Sequence, residues 1–279
     1  MKMKSLFYCF LVVILYSFFS CTSDEGSDLA PEKAAPHLNI SDSLAVVDIW
    51  KKADGVNWII KWDLNNLQTW GGTTWVLNPA NNEYRIIELN INIPVNERVQ
   101  GYISPKVGEL TELRYFNVGG TGITGEIPES LANLPHLSEI NIQKTSVGGT
   151  IPPNLFLLPE IRWFNISANP NIRGEIPQEI TQMNPEVLTC RLSENSLSGK
   201  IPSGMKIRLL ELRGNEYTEY PFEYCKEGTT NVILDNNCLS GLIPDSVLQD
   251  EKALNKLYHT TFDQKPGYGF SNAPESWGK

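Results

Sequence analysis

The chain has 279 residues, 41% of them hydrophobic, and its 23 basic and 32 acidic side chains leave a net charge of -9. That acidity excludes a surface built to seek nucleic acid or anionic lipid. Five cysteines, two of them at positions 9 and 21, leave three for the body of the chain, an odd number that rules out a full disulfide framework.

The first twenty residues, MKMKSLFYCFLVVILYSFFS, carry Lys2 and Lys4 and then sixteen uncharged residues. Such a stretch is short for a bilayer span and right for the apolar region of an export signal, assigned to 1–20. Without it the chain has 21 basic and 32 acidic residues, a net charge of -11. Cys21 follows the small Ser20 where cleavage should fall. This resembles the lipobox of bacterial lipoproteins, whose cysteine is lipidated and becomes the first mature residue. Asp24, Glu25 and Asp28 just behind it are similar to the surface-export signal of Bacteroidetes lipoproteins. The resemblance implies an outer membrane lipoprotein exposed at the cell surface and held to the membrane by its lipid anchor alone. An ordinary secretory signal with an incidental cysteine is the alternative. Residues 21–39, rich in Ala, Pro, Ser and acids, read as a flexible tether.

Residues 40–85 read as a cap. Ser41 or Asp42 is placed to start a helix whose Leu44, Val47 and Trp50 share a face, and Asp54-Gly55 to stop it. Trp58, Trp62, Trp70 and Trp75 follow. A tryptophan cluster can form a carbohydrate platform, but before a repetitive array it is better read as the cover of the first coil. DGVNW, KW and TWGGT match, in order, the N-terminal cap common in bacterial and plant repeat proteins, GGPNW, NW and TWYGV. This chain lacks that cap's cysteine pairs, so tryptophan packing must hold it.

Glycines 101, 125, 149, 174, 199 and 241 head G-x-I-P or a variant of it, at steps of 24, 24, 25, 25 and 42. Upstream of each lies an L-x-x-L-x-L-x-x-N-x-L frame, as in Leu137, Ile140, Ile142, Val147 or Val187, Cys190, Leu192, Leu197. Counting a degenerate copy at Ile207 to Tyr217, and a first copy at Ile86 with extra residues around PVNER, gives seven repeats over 86–250. The pattern is identified as the leucine-rich repeat, and the added L-x-G-x-I-P resembles its plant-type subclass. That resemblance implies an α/β solenoid, a right-handed superhelix with short parallel strands on the concave face and 3₁₀ or short helical turns on the convex face. The L-x-L leucines enter the core and the residues between them face outward. Asn169, Asn195, Asn215 and Asn237 turn the chain inward and satisfy backbone groups leaving the ladder, which Thr121 and Thr145 do less well. Glycine permits a backbone costly for other residues, and proline starts the convex segment. One coil cannot stand alone against its chain entropy, so the array needs both ends covered.

After Pro244, DSVLQDEKALNKLYHTTF reads as a closing helix with Val247, Leu254 and Leu257 inward, and the aromatic tail of 251–279 as a drape over the last coil. Cys190 falls on a core position, whereas Cys225 and Cys238 could pair in an oxidising compartment. DSL at 42–44 and DSV at 245–247 match the D-[ST]-hydrophobic O-glycosylation motif of Bacteroidetes, which would modify Ser43 or Ser246.

His37, His136 and His259 lie apart, so no triad or metal site suggests itself, and no phosphate-cradling glycine loop occurs. Neither enzyme chemistry nor a cofactor is expected. Function must then sit on positions the frame leaves free. The L-x-L centre is asparagine in four successive copies, Asn90, Asn117, Asn141 and Asn165, flanked by Tyr115 and Trp163 and accompanied by Glu139 and Gln143. Arg191, Glu211 and Arg213 continue the surface with alternating charge. These are the candidate contacts for a protein partner of a monomeric, non-catalytic module. Glycan capture in a nutrient-uptake system, a structural envelope role, or an inert polar sheet are the other readings.

Overall fold

The computed structural model describes residues 36–58, 61–64, 66–92 and 99–277. The export signal, Cys21 and the chain up to residue 35 lie outside the described residues, as does PVNER at 94–98. The folded body starts before residue 40, because His37–Leu38 (β1) runs parallel to Glu83 and Tyr84. Residues 36–39 therefore belong to the fold and not to a tether.

Asn39, not Ser41 or Asp42, caps helix α1 (Ile40–Lys52). Its side-chain oxygen accepts the amides of Ser41 and Asp42 at 3.0 and 3.2 Å. The helix also turns a different face inward than its apolar spacing suggests: Asp42, Ala45, Val46 and Ile49 are buried, while Leu44 is 61% exposed and Val47 and Trp50 are only partly covered. Arg85 is the cause. Its Nε and Nη2 donate to the two carboxylate oxygens of Asp42 at 3.0 and 3.1 Å, and the Ile86 amide adds a third bond at 2.9 Å. A charge so fully satisfied tolerates burial, and it fixes the rotation of the helix.

Behind α1 the tryptophans form an internal cluster. Trp58 meets Trp62 edge-on at 5.0 Å, and Trp62 stacks on Trp70 at 5.5 Å. Each indole N–H donates to a nearby carbonyl, of Ala53, Gly71 and Asp63 respectively. Rings so buried are packing, not a sugar platform. Strand β2 (Thr73–Asn78) then pairs antiparallel with β3 (Glu83–Asn90).

From β3 the concave sheet advances one parallel strand per coil, through Tyr115–Asn117, Glu139–Asn141, Trp163–Asn165, Thr189–Arg191, Leu209–Glu211 and Asn231–Ile233. The middle residue of each, from Phe116 to Val232, is buried, so the flanking residues must face out. The convex side is a row of 3₁₀ turns, among them Glu129–Asn133, Pro153–Leu157 and Gln178–Gln182. This is the expected α/β solenoid. Two small sheets not foreseen in the sequence line one rim, pairing Gln100–Tyr102 with Gly122–Thr124, and Gly148–Gly149 with Asn171–Gly174 and Ser196–Leu197.

The four turn asparagines form a buried ladder. The Asn169 amide donates to Asn195 Oδ1 at 2.9 Å, and Asn195 Nδ2 donates to Ile166 O and Leu192 O at 2.8 and 2.9 Å. Asn215 and Asn237 repeat the arrangement one and two coils on. Thr121 manages a single such bond, to Val118 O at 2.7 Å.

The closing helix is two helices, α2 (Asp245–Leu248) and α3 (Glu251–Thr261), because Asp250 caps a new helix at Lys252 and Ala253. Val247, Ala253 and Leu257 are buried, with Leu254 only partly so. Beyond α3 the chain runs along the last coil: Gln264 Nε2 donates to Leu234 O at 2.9 Å while its Oε1 accepts the Leu239 amide at 3.2 Å. Gly269 and Ser271 donate to Leu239 O and Gly241 O. Gln264 thus occupies the next rung of the asparagine ladder. Ser43 and Ser246 both lie within helices, α1 and α2. No helix among the described residues is long and apolar enough to cross a membrane.

Candidate binding surface

Two rows of side chains cross the concave sheet in register. In the first, Asn90, Asn117, Asn141, Asn165, Arg191 and Glu211 stand opposite one another on successive strands. In the second, Glu88, Tyr115, Glu139 and Trp163 do the same. Parallel strands lie about 4.8 Å apart, so each member of a row stands beside the next.

The asparagine row is less free than its letters suggest. Asn117, Asn141 and Asn165 each accept the amide of the residue two positions on, at 2.9, 3.3 and 3.1 Å. Asn165 is only 4% exposed and gives its Nδ2 to Gln143 Oε1 at 3.1 Å. Asn165 is thus spent internally, and Gln143 is half-buried beside it. Asn90 differs, for its Oδ1 is buried with no hydrogen-bond partner among the described residues.

The aromatic row is open. Tyr115 is 41% and Trp163 43% exposed, and Glu139 between them is exposed as well. Arg191 leaves its own row to reach this one: its guanidinium carbon sits 4.4 Å from the Trp163 ring centroid, while its Nε lies 3.3 Å from Glu211. Arg213 pairs instead with Asp235 at 2.9 Å. The structure therefore brings Arg191, Glu211 and Trp163 together and sets Arg213 apart. The Arg191–Trp163 stack, across coils and 28 positions, had no local signal; the repeat register alone could have placed the two on neighbouring strands.

Cys190 lies under this surface, and burial pushes its thiol far above the usual range. Cys225 and Cys238 are both free, against the suggested pairing. Cys225 sits in the convex turn Phe222–Cys225, whereas Cys238 follows the ladder residue Asn237 after the next strand, so they occupy different sides of their coils. Burial raises the Cys225 thiol to about 11. Beside the last strands a cleft of about 470 Å³ runs between the sheet and α3, lined by Leu209, Asn231, Ile233, Lys256 and His259. Among the described residues no group of three or more His, Cys, Asp and Glu is placed to hold a metal ion.

The family model for the Leucine Rich Repeat matches residues 112–134. No curated protein sequence matches the chain. Solved structures do. The crystal structure of PEPR1-AtPEP1 is similar with a TM-score of 0.61 at 20% identity, covering 81% of this chain and 32% of that one. The ectodomain of the Arabidopsis thaliana receptor kinase GASSHO1/SCHENGEN3, in complex with CASPARIAN STRIP INTEGRITY FACTOR 2, gives 0.57 at 19% identity over 82% of this chain and 30% of that one. The ectodomain of the Arabidopsis thaliana receptor kinase SOBIR1 gives 0.54 at 23% identity over 65% and 96%. This chain spans about a third of the length of the first two. At these identities the likeness is one of fold.

Proposed function

We propose that this chain is a leucine-rich-repeat protein that serves as a non-catalytic protein-binding module, a reading supported by the repeat match and the likeness of fold, and that it is tied to the bacterial cell envelope through a lipidated Cys21. The partner lies along the concave sheet. The observation that carries this reading is the row Tyr115, Glu139, Trp163, whose side chains stand exposed and in register although the core requires nothing of them. Large aromatic side chains held on short, rigid strands bind with little ordering cost. The fold offers a precedent, since the GASSHO1/SCHENGEN3 ectodomain was solved with a bound factor.

A glycan reading would need open indole faces. One face of Trp163 is covered by the Arg191 guanidinium, and Trp58, Trp62 and Trp70 are buried, which favours protein over sugar. The test is a photo-crosslinking residue placed at Tyr115, with Leu157 on the convex side as control, in cells of the native host. A discrete protein adduct from position 115 and none from 157 supports the concave surface; adducts from 157 alone, or saturable binding of a free oligosaccharide, refute it. Anchoring is tested separately by incorporation of labelled palmitate, which Cys21→Ser should abolish, and by protease shaving of intact cells, which should remove the protein.

A further inference from the structure

Within the aromatic row Glu139 is singular. Its strand neighbours on either side are Tyr115 and Trp163, so a carboxylate stands between two rings at strand spacing. Its side chain is exposed and engages no hydrogen bond or ion pair among the described residues. Glu88, the other acid of the row, is held by the Thr74 hydroxyl at 2.7 Å. Arg162 lies 3.6 Å from Glu186 and Arg191 3.3 Å from Glu211, while Arg114, exposed beside Tyr115, makes no ion pair with Glu139.

We infer that Tyr115, Glu139 and Trp163 form a subsite for a lysine or arginine side chain on an extended segment of the partner. This rests on the protein-binding reading above and narrows it to a basic partner. The Tyr115 ring and the part of Trp163 that Arg191 leaves exposed attract a cation, and a free carboxylate between them supplies the countercharge. Arg191, 4.4 Å from the Trp163 centroid, shows that this ring holds a guanidinium on one face, and Glu211 offsets the charge of Arg191 at 3.3 Å. The net charge of -9 steers in the same direction, drawing a basic segment toward the sheet before contact. An acidic or neutral segment would instead leave Glu139 facing like charge or apolar surface.

The test is selection of random dodecapeptides displayed on phage against the immobilised folded protein, beside its Glu139→Gln, Trp163→Leu and Glu129→Gln variants. Glu129 is an exposed acid on the convex side and serves as the charge-matched control. Enrichment of Lys and Arg is expected. The best synthetic peptide should weaken about tenfold in Glu139→Gln and less than about twofold in Glu129→Gln, and should weaken further as salt rises from about 50 to about 500 mM. Peptides that depend on Trp163 but carry no basic enrichment, or that lose equally in Glu139→Gln and Glu129→Gln, overturn the subsite while leaving the concave protein-binding reading standing. Failure to select any peptide that depends on Trp163 overturns both.

Discussion

Replacing Asn195 by alanine tests what holds the coils in register. Its side chain makes three bonds inside the core, accepting from the Asn169 amide at 2.9 Å and donating to Ile166 O at 2.8 Å and Leu192 O at 2.9 Å. Asn195 is 5% exposed, so water does not readily replace them. A buried polar group stripped of its partner costs about 1 to 3 kcal/mol; the Asn169 amide and Ile166 O would each lose theirs, while Leu192 O keeps Asn215 Nδ2 at 3.0 Å, which puts the loss at about 2 to 6 kcal/mol. Asn184 is the control. It too bonds the main chain, to Pro159 O at 2.8 Å and from the Glu186 amide at 3.0 Å, but at the surface, where solvent substitutes. With a urea dependence of about 3 kcal/mol per molar, Asn195→Ala should lower the unfolding midpoint by about 0.7 to 2 M and Asn184→Ala by less than about 0.3 M. Circular dichroism in urea reads both. Equal shifts would show that the ladder contributes no more than a surface bond and would refute the structural role assigned to it.

The remaining expectations concern other parts of the chain. Gly101 has φ +91°, and an added Cβ would sit 1.9 Å from Lys52 O at the end of α1, whereas Gly241, with φ +99°, has open space around it. Gly101→Ala should therefore prevent the cap from seating and cost more than about 3 kcal/mol, against about 1 to 2 kcal/mol for Gly241→Ala, measured as melting-temperature shifts. Asp42→Ala strips the Ile86 amide of its acceptor and leaves the partly buried Arg85 with only Thr111 and the more distant Glu112, and should cost about 2 to 4 kcal/mol, with the denaturation midpoint as readout. The described residues hold three free thiols, of which Cys238 should be alkylated first and Cys190 only on unfolding. Cys225, at about 11, holds roughly one thiolate per thousand at pH 8, so its alkylation should quicken about tenfold for each pH unit up to that value; a Cys225–Cys238 disulfide found by mass spectrometry would contradict the structure.

The solenoid was legible because the information that specifies it is local and repeated. Ile140 and Phe164 enter the core for the same reason, at the same place in the same frame, and each copy restates the strand and turn. Features set by one long-range contact had no such redundancy. Helix α1 turns on the Asp42–Arg85 pair, 43 positions apart, which no apolar spacing announces. The same holds on the concave face. Facing outward was readable for Asn165, but its burial under Gln143 depends on the neighbouring coil. Tyr115 and Trp163 were placed correctly by alternation alone, whereas the Arg191 guanidinium over Trp163 requires knowing how far a long side chain leans across the sheet. The rim sheets escaped notice because strands as short as Ser196–Leu197 leave too little alternation to read.

The position of Gln264 has a consequence for how such an array can change in length. It meets Leu234 and Leu239 through main-chain groups, as Asn237 meets Leu212, Leu234 and Tyr217. At this rung the terminus recognises only backbone and is indifferent to side chains, whereas Phe270 against Phe222 and Thr260 against Tyr220 tie it to the particular coil it closes. Duplication or deletion of a whole coil upstream would present the same carbonyls and amides to Gln264, so the array can be lengthened or shortened in evolution, or by engineering, without redesign of its end.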